Sequence, residues 1–411
     1  MNPYSEYKDS NIQWLGKIPT HWLIKSSKHI FSFISRGSAP TYTNEENSTM
    51  VVNQAIFSQG KWDISKIRYT TECFDNSRGA LFPGDILIAS TGGGVLGKVF
   101  YFTKAEEQYI ADSHVTILRS NHKTINAKFY SYIFSISYNY INAVLALGST
   151  NQTELQRDML RCHKLPVPFF LEQQAIVDYL DRETVEMDAL ITEQEELVAL
   201  LKQKRSAIIM EAVCRGLDPT VPMKDSGVNW PRMIPSHWNI IKAKYIATIK
   251  NGQDPRTEGD IPVYGSGASS FKTCGEYKNG PTVLIGRKGA TLHIPHYITG
   301  KYWNVDTAFD VHVNEKLFNL RYYYYLATCF DYKFYISQTT LPSMTQTNYE
   351  NMSLPYFSIN EQQAIVDYLD RETAEIDYLI ADCKTSIQLL KQRRTALISE
   401  AVTGKIDVRT A

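Results

Sequence analysis

Two polar loops carry the side chains best suited to contact base edges or phosphates. The first, GSTNQTEL, covers residues 148–155, and the second, LPSMTQTNYENM, covers residues 341–352. Hydroxyl and amide groups both donate and accept hydrogen bonds, which is what base edges and phosphate oxygens require. The candidate contacts in these loops are Thr150, Asn151, Gln152, Ser343, Thr345 and Gln346. The alternative is that both are ordinary capped loops.

Basic residues beside glycine form a second group of candidates. Lys98 follows a glycine, and Arg287 and Lys288 precede Gly289. A glycine lets the backbone approach a ligand closely, and Lys and Arg neutralise phosphates. Solvated surface charge is the competing interpretation. The set of candidate nucleic-acid contacts is completed by Ser90, Thr91, Tyr264 and Ser266.

No residue pattern indicates catalysis by this chain. The glycine-rich run that ends at Lys98 resembles a P-loop, but Val99 stands where a magnesium-binding Ser or Thr is needed. Asp260, Glu276 and Lys278 only loosely resemble a nuclease metal site. The six cysteines form no C-x-x-C pair, and no N/D-P-P-Y/F motif of amino-methylases occurs. We therefore expect no catalytic residue, metal or cofactor on this chain.

Charge and composition limit the class of protein. The 411 residues contain 43 Lys and Arg against 43 Asp and Glu, so the net charge is zero. A strongly basic chain would indicate a nucleic-acid binder. A neutral chain with that function needs locally concentrated positive charge or a partner that contributes to phosphate binding. No stretch is long enough to span a bilayer, the N-terminus lacks a secretory signal, and the scattered cysteines fit a reducing cytoplasm.

The candidate residues lie within a tandem repeat. KDSNIQWLGKIPTHW, starting at Lys8, reappears as KDSGVNWPRMIPSHW, starting at Lys224, an offset of 216 residues. EQQAIVDYLDRET, starting at Glu172, reappears unchanged at Glu361, an offset of 189 residues. Matched segments around divergent middles indicate one scaffold that presents two different binding domains.

The second repeated block predicts a long helix in each half. It lacks Gly and Pro until Gly216, and prolines precede it. Apolar residues follow a heptad-like 4-3 spacing that is typical of a coiled-coil seam. A long helix packed on a globular core is the alternative. The seam residues are Ile176, Leu180, Met187, Leu190, Leu197, Leu201 and Ile208, and in the second copy Ile365, Leu369, Ile376, Leu379, Leu390 and Leu397.

Polar residues in the seam favour antiparallel pairing of the two helices. An antiparallel pair sets Glu183 against Arg393 and Lys204 against Glu372, whereas a parallel pair sets like charges together. These four residues are the predicted helix-pairing and subunit-docking residues. At about 1.5 Å per residue, a helix of roughly forty residues spans about 60 Å and would act as a rigid spacer.

The divergent middles, residues 24–165 and 240–353, predict α+β domains. Short strand-like runs cover residues 84–90, 98–102, 114–119, 282–287 and 309–313. Tyr-rich helical stretches follow at residues 126–147 and 317–330. His21 and His237 lie beside Trp22 and Trp238 in the repeated opening segment, where packing near the helix ends is expected rather than catalysis.

The order of these motifs resembles the specificity subunits of type I restriction–modification systems. A KDSxxxWxxxIPxHW segment, a β-rich middle, an LPxMTQT-type loop and an EQQAIVDYLD helix occur and then repeat. The resemblance covers essentially the whole chain. The first loop departs from the pattern, with Asn151, Gln152 and Thr153 aligned by eye to Thr345, Gln346 and Thr347.

The resemblance implies a non-catalytic DNA-binding subunit with two target-recognition domains, in pseudo-twofold tandem, separated by two long antiparallel coiled-coil-like helices. Each domain would read one half of a bipartite site in double-stranded DNA. The helices would dock two modification subunits, which methylate adenine N6 with S-adenosylmethionine. Restriction subunits that use ATP and magnesium would complete the complex. A cytoplasmic location in a bacterium or archaeon and no membrane partner are expected.

The expected division of the chain has four parts. Residues 1–170 form the N-terminal target-recognition domain, 171–216 the central spacer helix, 217–358 the C-terminal target-recognition domain, and 359–411 the distal spacer helix and tail. Two rival functions remain: an assembly scaffold that docks the methylase but reads no sequence, and a nuclease that uses the acidic cluster around Glu276.

Overall fold

The chain forms two compact units. The computed structural model describes residues 2–45, 48–92, 94–121, 123–147, 153–267, 269–336 and 342–410. Unit 1 comprises Met1–Glu193 with Ile387–Ala411, and unit 2 comprises Gln194–Ser386. Each unit contains part of both long helices. The four-part division expected from the sequence stays a prediction.

Unit 1 contains two four-stranded sheets. The central sheet is antiparallel, in the order Phe31–Arg36, Val115–Ser120, Ile86–Ala89 and Val99–Tyr101. The outer sheet has the order Tyr109–Ala111, Thr49–Val52, Arg68–Thr70 and Tyr42–Thr43, with its first pair parallel. Two-stranded pairs join Tyr7–Asp9 to Lys17–Pro19, Leu23–Ser26 to Lys164–Val167, and Ala146–Leu147 to Glu154–Leu155.

Unit 2 repeats this topology. Its central sheet has the order Ala247–Asn251, Ala308–Val313, Thr282–Gly286 and His296–Ile298. Its outer sheet has the order Lys272–Cys274, Ile261–Tyr264, Lys301–Asn304 and Lys278–Asn279, again with one parallel pair. Two-stranded pairs join Met223–Asp225 to Met233–Pro235 and Asn239–Lys242 to Ser353–Tyr356. The strands predicted from residues 84–119 and 282–313 are therefore confirmed.

Short helices flank the sheets. Unit 1 has α-helices Ala127–Ile136, Tyr138–Tyr140 and Arg157–Cys162, with a π-helical turn at Ile141–Leu145. Unit 2 has α-helices Leu320–Ala327 and Gln346–Glu350. Single 3₁₀ turns lie at Ser27–His29, Gln54–Ile56, Ile64–Lys66, Phe74–Asn76, Ala243–Tyr245, Tyr332–Phe334 and Val408–Thr410. The Tyr-rich stretch 317–330 is helical because Tyr322, Tyr323 and Tyr325 are buried in the core.

The first long helix is Phe170–Arg215 and the second is Ile359–Val402. In unit 1 the start of the first helix, with Ile176 and Leu180, shares a core with Ile398 and Val402 at the end of the second. In unit 2 the end of the first helix shares a core with the start of the second, Ile209 and Val213 with Ile365 and Leu369. These contacts confirm the predicted antiparallel pairing and the α+β class.

The apolar seam departs from the predicted heptads towards the middle of each helix. Leu190 and Leu197 are 47% and 41% exposed, whereas their neighbours Ile191 and Val198 are buried. In the second helix Leu379 is exposed and Ile380 is buried. A straight α-helix drifts by about 20° per heptad relative to a 3.5-residue repeat, so the buried stripe moves onto the adjacent residue.

The observed ion pairs also differ from the predicted register. Arg394 pairs with Asp188 at 2.9 Å in unit 1, and Arg205 pairs with Asp377 at 2.9 Å in unit 2. Glu183 and Glu372 pair instead with their own helix neighbours, Arg182 and Arg371. The predicted contacts of Glu183 with Arg393 and of Lys204 with Glu372 are therefore replaced by pairs in a shifted register.

The repeated opening segment packs on the start of a long helix in each unit. Trp22 and Trp238 are fully buried. Trp22 Nε1 donates to Glu172 at 3.0 Å, and Trp238 Nε1 donates to Glu361 at 2.9 Å. His21 and His237 contact the same two carboxylates. This shared hydrogen-bond pattern explains why the opening segment and the helix are repeated together.

Candidate nucleic-acid interface

In unit 2 the polar loop lies against the end of a central strand. Strand Thr282–Gly286 is followed by Arg287, Lys288 and Gly289. Gly289 N donates to Pro342 O at 3.1 Å, and Met344 N donates to Arg287 O at 2.9 Å. An isolated β-bridge between these bonds pairs Lys288 with Ser343. The backbone therefore brings together the basic turn and the polar loop, which are more than fifty residues apart in sequence.

Gly289 is required at this turn because its φ is +114°, which L side chains rarely adopt. A Cβ atom there would also lie 3.0 Å from Ser266 Oγ. Ser266 therefore lies beside the basic turn. Tyr264, at the end of its strand, places its ring 5.8 Å from that of His296. The loop after Tyr264 is thus the third segment at this edge of the sheet.

Internal contacts already hold several predicted side chains of unit 2. Thr345 caps helix Gln346–Glu350, and its hydroxyl accepts a bond from Asn348 N at 3.1 Å. Gln346 Nε2 donates to Glu350 at 2.8 Å. The Arg287 guanidinium lies 3.3 Å from Asp306 O. Lys288 is exposed. These contacts preorganise the loop, so a ligand would meet side chains with defined directions.

Unit 1 builds the same backbone arrangement with different side chains. Gly92 N donates to Thr153 O at 3.3 Å, Leu155 N donates to Ser90 O at 2.9 Å, and a β-bridge pairs Thr91 with Glu154. Gly92, like Gly289, has a positive φ, of +88°. The two sites are therefore structural equivalents, with Thr91 in the place of Lys288.

The predicted contacts of unit 1 have mixed outcomes. Ser90 is fully buried and hydrogen-bonds to Thr116, so it stabilises the strand end and does not face a ligand. Thr91 Oγ1 lies 2.8 Å from His114 Nδ1. The Lys98 ammonium lies 4.7 Å from the centre of the Tyr138 ring. Thr150, Asn151 and Gln152 lie outside the described residues, so their contacts stay predictions.

The structural equivalence corrects the alignment of the first loop. The offset of 189 residues that relates the long helices extends back without a gap to the two β-bridges, where Glu154 corresponds to Ser343. Gln156 and Arg157 therefore occupy the positions of Thr345 and Gln346, and Gln156 begins helix Arg157–Cys162 as Thr345 begins its counterpart. The alignment by eye with Asn151 and Gln152 was wrong. Sequence reasoning missed Gln156 and Arg157, although the constant offset would have found them.

Burial shifts the pKa of an acid beside the unit 1 site. Asp112 is buried, and burial raises its pKa. It accepts hydrogen bonds from Tyr42 Oη at 3.3 Å and from His114 N at 2.9 Å. Since His114 contacts Thr91, this buried carboxyl supports the position of a candidate contact residue.

The residues of the suggested nuclease site serve other purposes. Glu276 accepts bonds from the backbone N–H groups of Arg256 and Thr257 and from the Thr257 hydroxyl, which lowers its pKa to about 2. Lys278 donates to Asn304 and pairs with the buried Asp310. In the described part of the chain, no three His, Cys, Asp or Glu side chains cluster as a metal site would require.

The family model of the type I restriction modification DNA specificity domain matches residues 19–199 and 235–386. The chain belongs to this family. Each matched segment contains one central sheet and one polar loop. None of the described helices is long and apolar enough to cross a membrane.

Solved structures share the fold. One is a chain from a structure described as the structural basis underlying complex assembly and conformational transition of the type I R-M system. It is 16% identical, covers 95% of this chain and 99% of its own, and has a TM-score of 0.72. The HsdS subunit from Thermoanaerobacter tengcongensis is also 16% identical, with 97% and 100% coverage and a TM-score of 0.51. At this identity the likeness concerns the fold alone.

Proposed function

We propose that each unit of this type I specificity chain reads one half of a bipartite DNA sequence. The observation that carries the proposal is that both units bring a polar loop to the end of the same central strand, by the β-bridges Thr91–Glu154 and Lys288–Ser343. The backbone pairing is the same, but the side chains differ. Two frames with different side chains suit two unlike half-sites, since base edges are distinguished by side-chain hydrogen bonds.

The long helices dock two modification subunits in this proposal. Large apolar side chains remain exposed on both helices, which supports a docking role because such side chains are costly to leave in water. They are Val185, Leu190, Leu197 and Leu200 on the first helix and Tyr378, Leu379 and Leu389 on the second. Methyl transfer from S-adenosylmethionine then belongs to the modification subunits, and ATP and magnesium belong to the restriction subunits. This chain has no catalysis of its own.

Genome-wide methylation mapping tests the proposal. The chain is co-expressed with its neighbouring methyltransferase in a methylation-free host, and N6-methyladenine is mapped. We expect a single split motif that appears only when this chain is present. Exchanging residues 24–165 for those of a relative with another target should change one half of the motif and leave the other half unchanged.

The control separates DNA reading from assembly. A stable co-purifying complex that methylates no sequence and binds DNA in a salt-dependent but sequence-independent manner would favour the assembly scaffold. Failure to form any complex would contradict the proposed docking role of the helices.

A further inference from the structure

A basic cavity lies beside the polar loop of unit 1. Its volume is about 320 Å³, and three arginines, Arg36, Arg78 and Arg157, line it together with a single acid, Glu154. Three guanidinium groups against one carboxylate leave an excess of positive charge. In a chain with zero net charge, this is a local concentration of the kind that phosphate binding requires.

Backbone contacts hold two of these guanidinium groups in place. Arg36 ends the edge strand of the central sheet, and its Nη2 donates to Leu155 O at 3.2 Å. Arg78 Nη2 donates to Gly37 O at 2.9 Å. These contacts use one of the five N–H donors of each guanidinium. The two guanidinium groups are therefore positioned by carbonyl groups of the central sheet edge and the polar loop.

Glu154 is the counter-ion of Arg36 in this cavity. Its side chain is 46% exposed, so it can move into water without burying an unpaired charge. A carboxylate and a phosphate present similar pairs of oxygens to a guanidinium, and either can accept its paired N–H bonds. Replacement of Glu154 by a phosphate would therefore keep Arg36 paired.

We propose that this cavity binds one backbone phosphate of DNA and that Glu154 holds Arg36 until the phosphate replaces it. The inference rests on the proposed function and identifies a phosphate-binding site of the unit 1 reader. Such a contact fixes the position of the protein on the duplex and carries no sequence information itself. Gln156, which also lines the cavity, is then placed next to the duplex.

Unit 2 provides a matched comparison because its equivalent positions are uncharged. Asn251 ends the corresponding edge strand and precedes Gly252, as Arg36 precedes Gly37. Ser343 takes the place of Glu154 at the β-bridge. The phosphate site is therefore specific to unit 1, and substitutions at Asn251 and Ser343 serve as controls.

The test measures DNA binding by the complex with its methyltransferase across a range of salt concentrations. Arg78→Gln should reduce the slope of log K against log salt by about one and weaken binding to all sequences equally. Glu154→Gln should strengthen binding to specific and non-specific DNA, because Arg36 no longer has a competing anion. Asn251→Ala and Ser343→Ala should leave the salt slope unchanged.

Neutral methylphosphonate linkages in the DNA locate the contact. At one linkage in the half-site of unit 1, substitution should weaken binding by the wild-type complex and have no further effect on Arg78→Gln. Arg157→Gln, an exposed position, replaces Arg78→Gln as the probe if the latter lowers the thermal midpoint of the chain.

Three results would overturn the proposal. The first is an unchanged salt slope in a stably folded arginine variant, and the second is weaker DNA binding by Glu154→Gln. The third is protection of the wild-type chain by inorganic phosphate without any effect of methylphosphonate, which would indicate a free anion site. Loss of sequence preference in the wild-type complex would instead contradict the proposed function, and the salt slope would still test the cavity on non-specific DNA.

Discussion

The two units place a guanidinium at the same edge of the central sheet but take it from different strands. In unit 1 it belongs to Arg36, at the end of the edge strand, and the residue after the neighbouring strand is the buried Ser90. In unit 2 it belongs to Arg287, after that neighbouring strand, and the edge strand ends in Asn251. The backbone frame is therefore kept while the charged group moves between strands. Two different readers arise without any change in topology.

A second difference lies inside the frame, where the long-helix offset pairs His163 of unit 1 with Met352 of unit 2. Both residues are buried, and their carbonyl oxygens accept equivalent backbone bonds, from Ser27 N at 2.8 Å and from Ala243 N at 3.0 Å. The His163 ring packs against Trp14 and Tyr140, and its Nε2 has no hydrogen-bond partner among the described residues. One unit therefore contains a buried titratable group where the other has a thioether.

This difference predicts that acid destabilises unit 1 through His163. Burial lowers the pKa of His163 to about 4, below the value near 6.5 of an unfolded chain. As pH falls from about 6.5 to about 4, the unfolded state binds a proton that the folded state excludes. Stability is lost over this window, by up to about 3 kcal/mol. His163→Met should remove this loss, as measured by chemical unfolding at a series of pH values.

Met352→His provides the reciprocal test. It should introduce the same acid sensitivity into unit 2, where a buried imidazole would meet the same desolvation. If His163→Met retains the full pH dependence of the wild type, the acid sensitivity comes from other groups.

The two turn glycines are the next contrast. Gly289→Ala should cost roughly 1–3 kcal/mol, because φ of +114° is strained for an L residue. Gly92→Ala should cost less, since φ is +88° and the added Cβ would meet Val95 at 3.5 Å and not Ser266 at 3.0 Å. Denaturant midpoints of the two variants test the order, and equal costs would contradict it.

The caps of the two loop helices predict a smaller effect. Thr345→Ala should cost about 1 kcal/mol, because the hydroxyl accepts the Asn348 N–H bond. Gln156→Ala should cost close to nothing, since Gln156 makes no side-chain cap bond. Hydrogen exchange of the helix amides distinguishes the variants. Faster exchange in Gln156→Ala than in Thr345→Ala would reverse the comparison.

The sequence predicted the frame of this fold better than its site. Repeated segments that contain Trp22 and Glu172 specify contacts that recur in both units, so an internal repeat shows them directly. The alternating apolar runs of the central sheets were equally clear. The candidate contacts were less predictable because side-chain direction depends on pairing across the sheet. Ser90 is polar and follows a strand, yet the Leu155 bridge and the Thr116 hydroxyl bury it.

Helix register was beyond sequence reasoning for a similar reason. The charges of Glu183 and Arg393 correctly favoured antiparallel pairing, but many residues on each helix satisfy the same rule. Only the precession of the buried stripe selects Ile191 over Leu190 and so moves the facing charges. A four-residue change in which charges meet costs little, because exposed ion pairs contribute little.

The smallest predicted effect tests that register. A double-mutant cycle of Asp188→Ala with Arg394→Ala should give a coupling of about 0.2–1 kcal/mol, and Arg205→Ala with Asp377→Ala should give a similar value in unit 2. The cycle of Glu183→Ala with Arg393→Ala should give none, because Glu183 pairs with Arg182 on its own helix. A clear coupling of Glu183 with Arg393, together with none for Asp188 with Arg394, would restore the register predicted from the heptads.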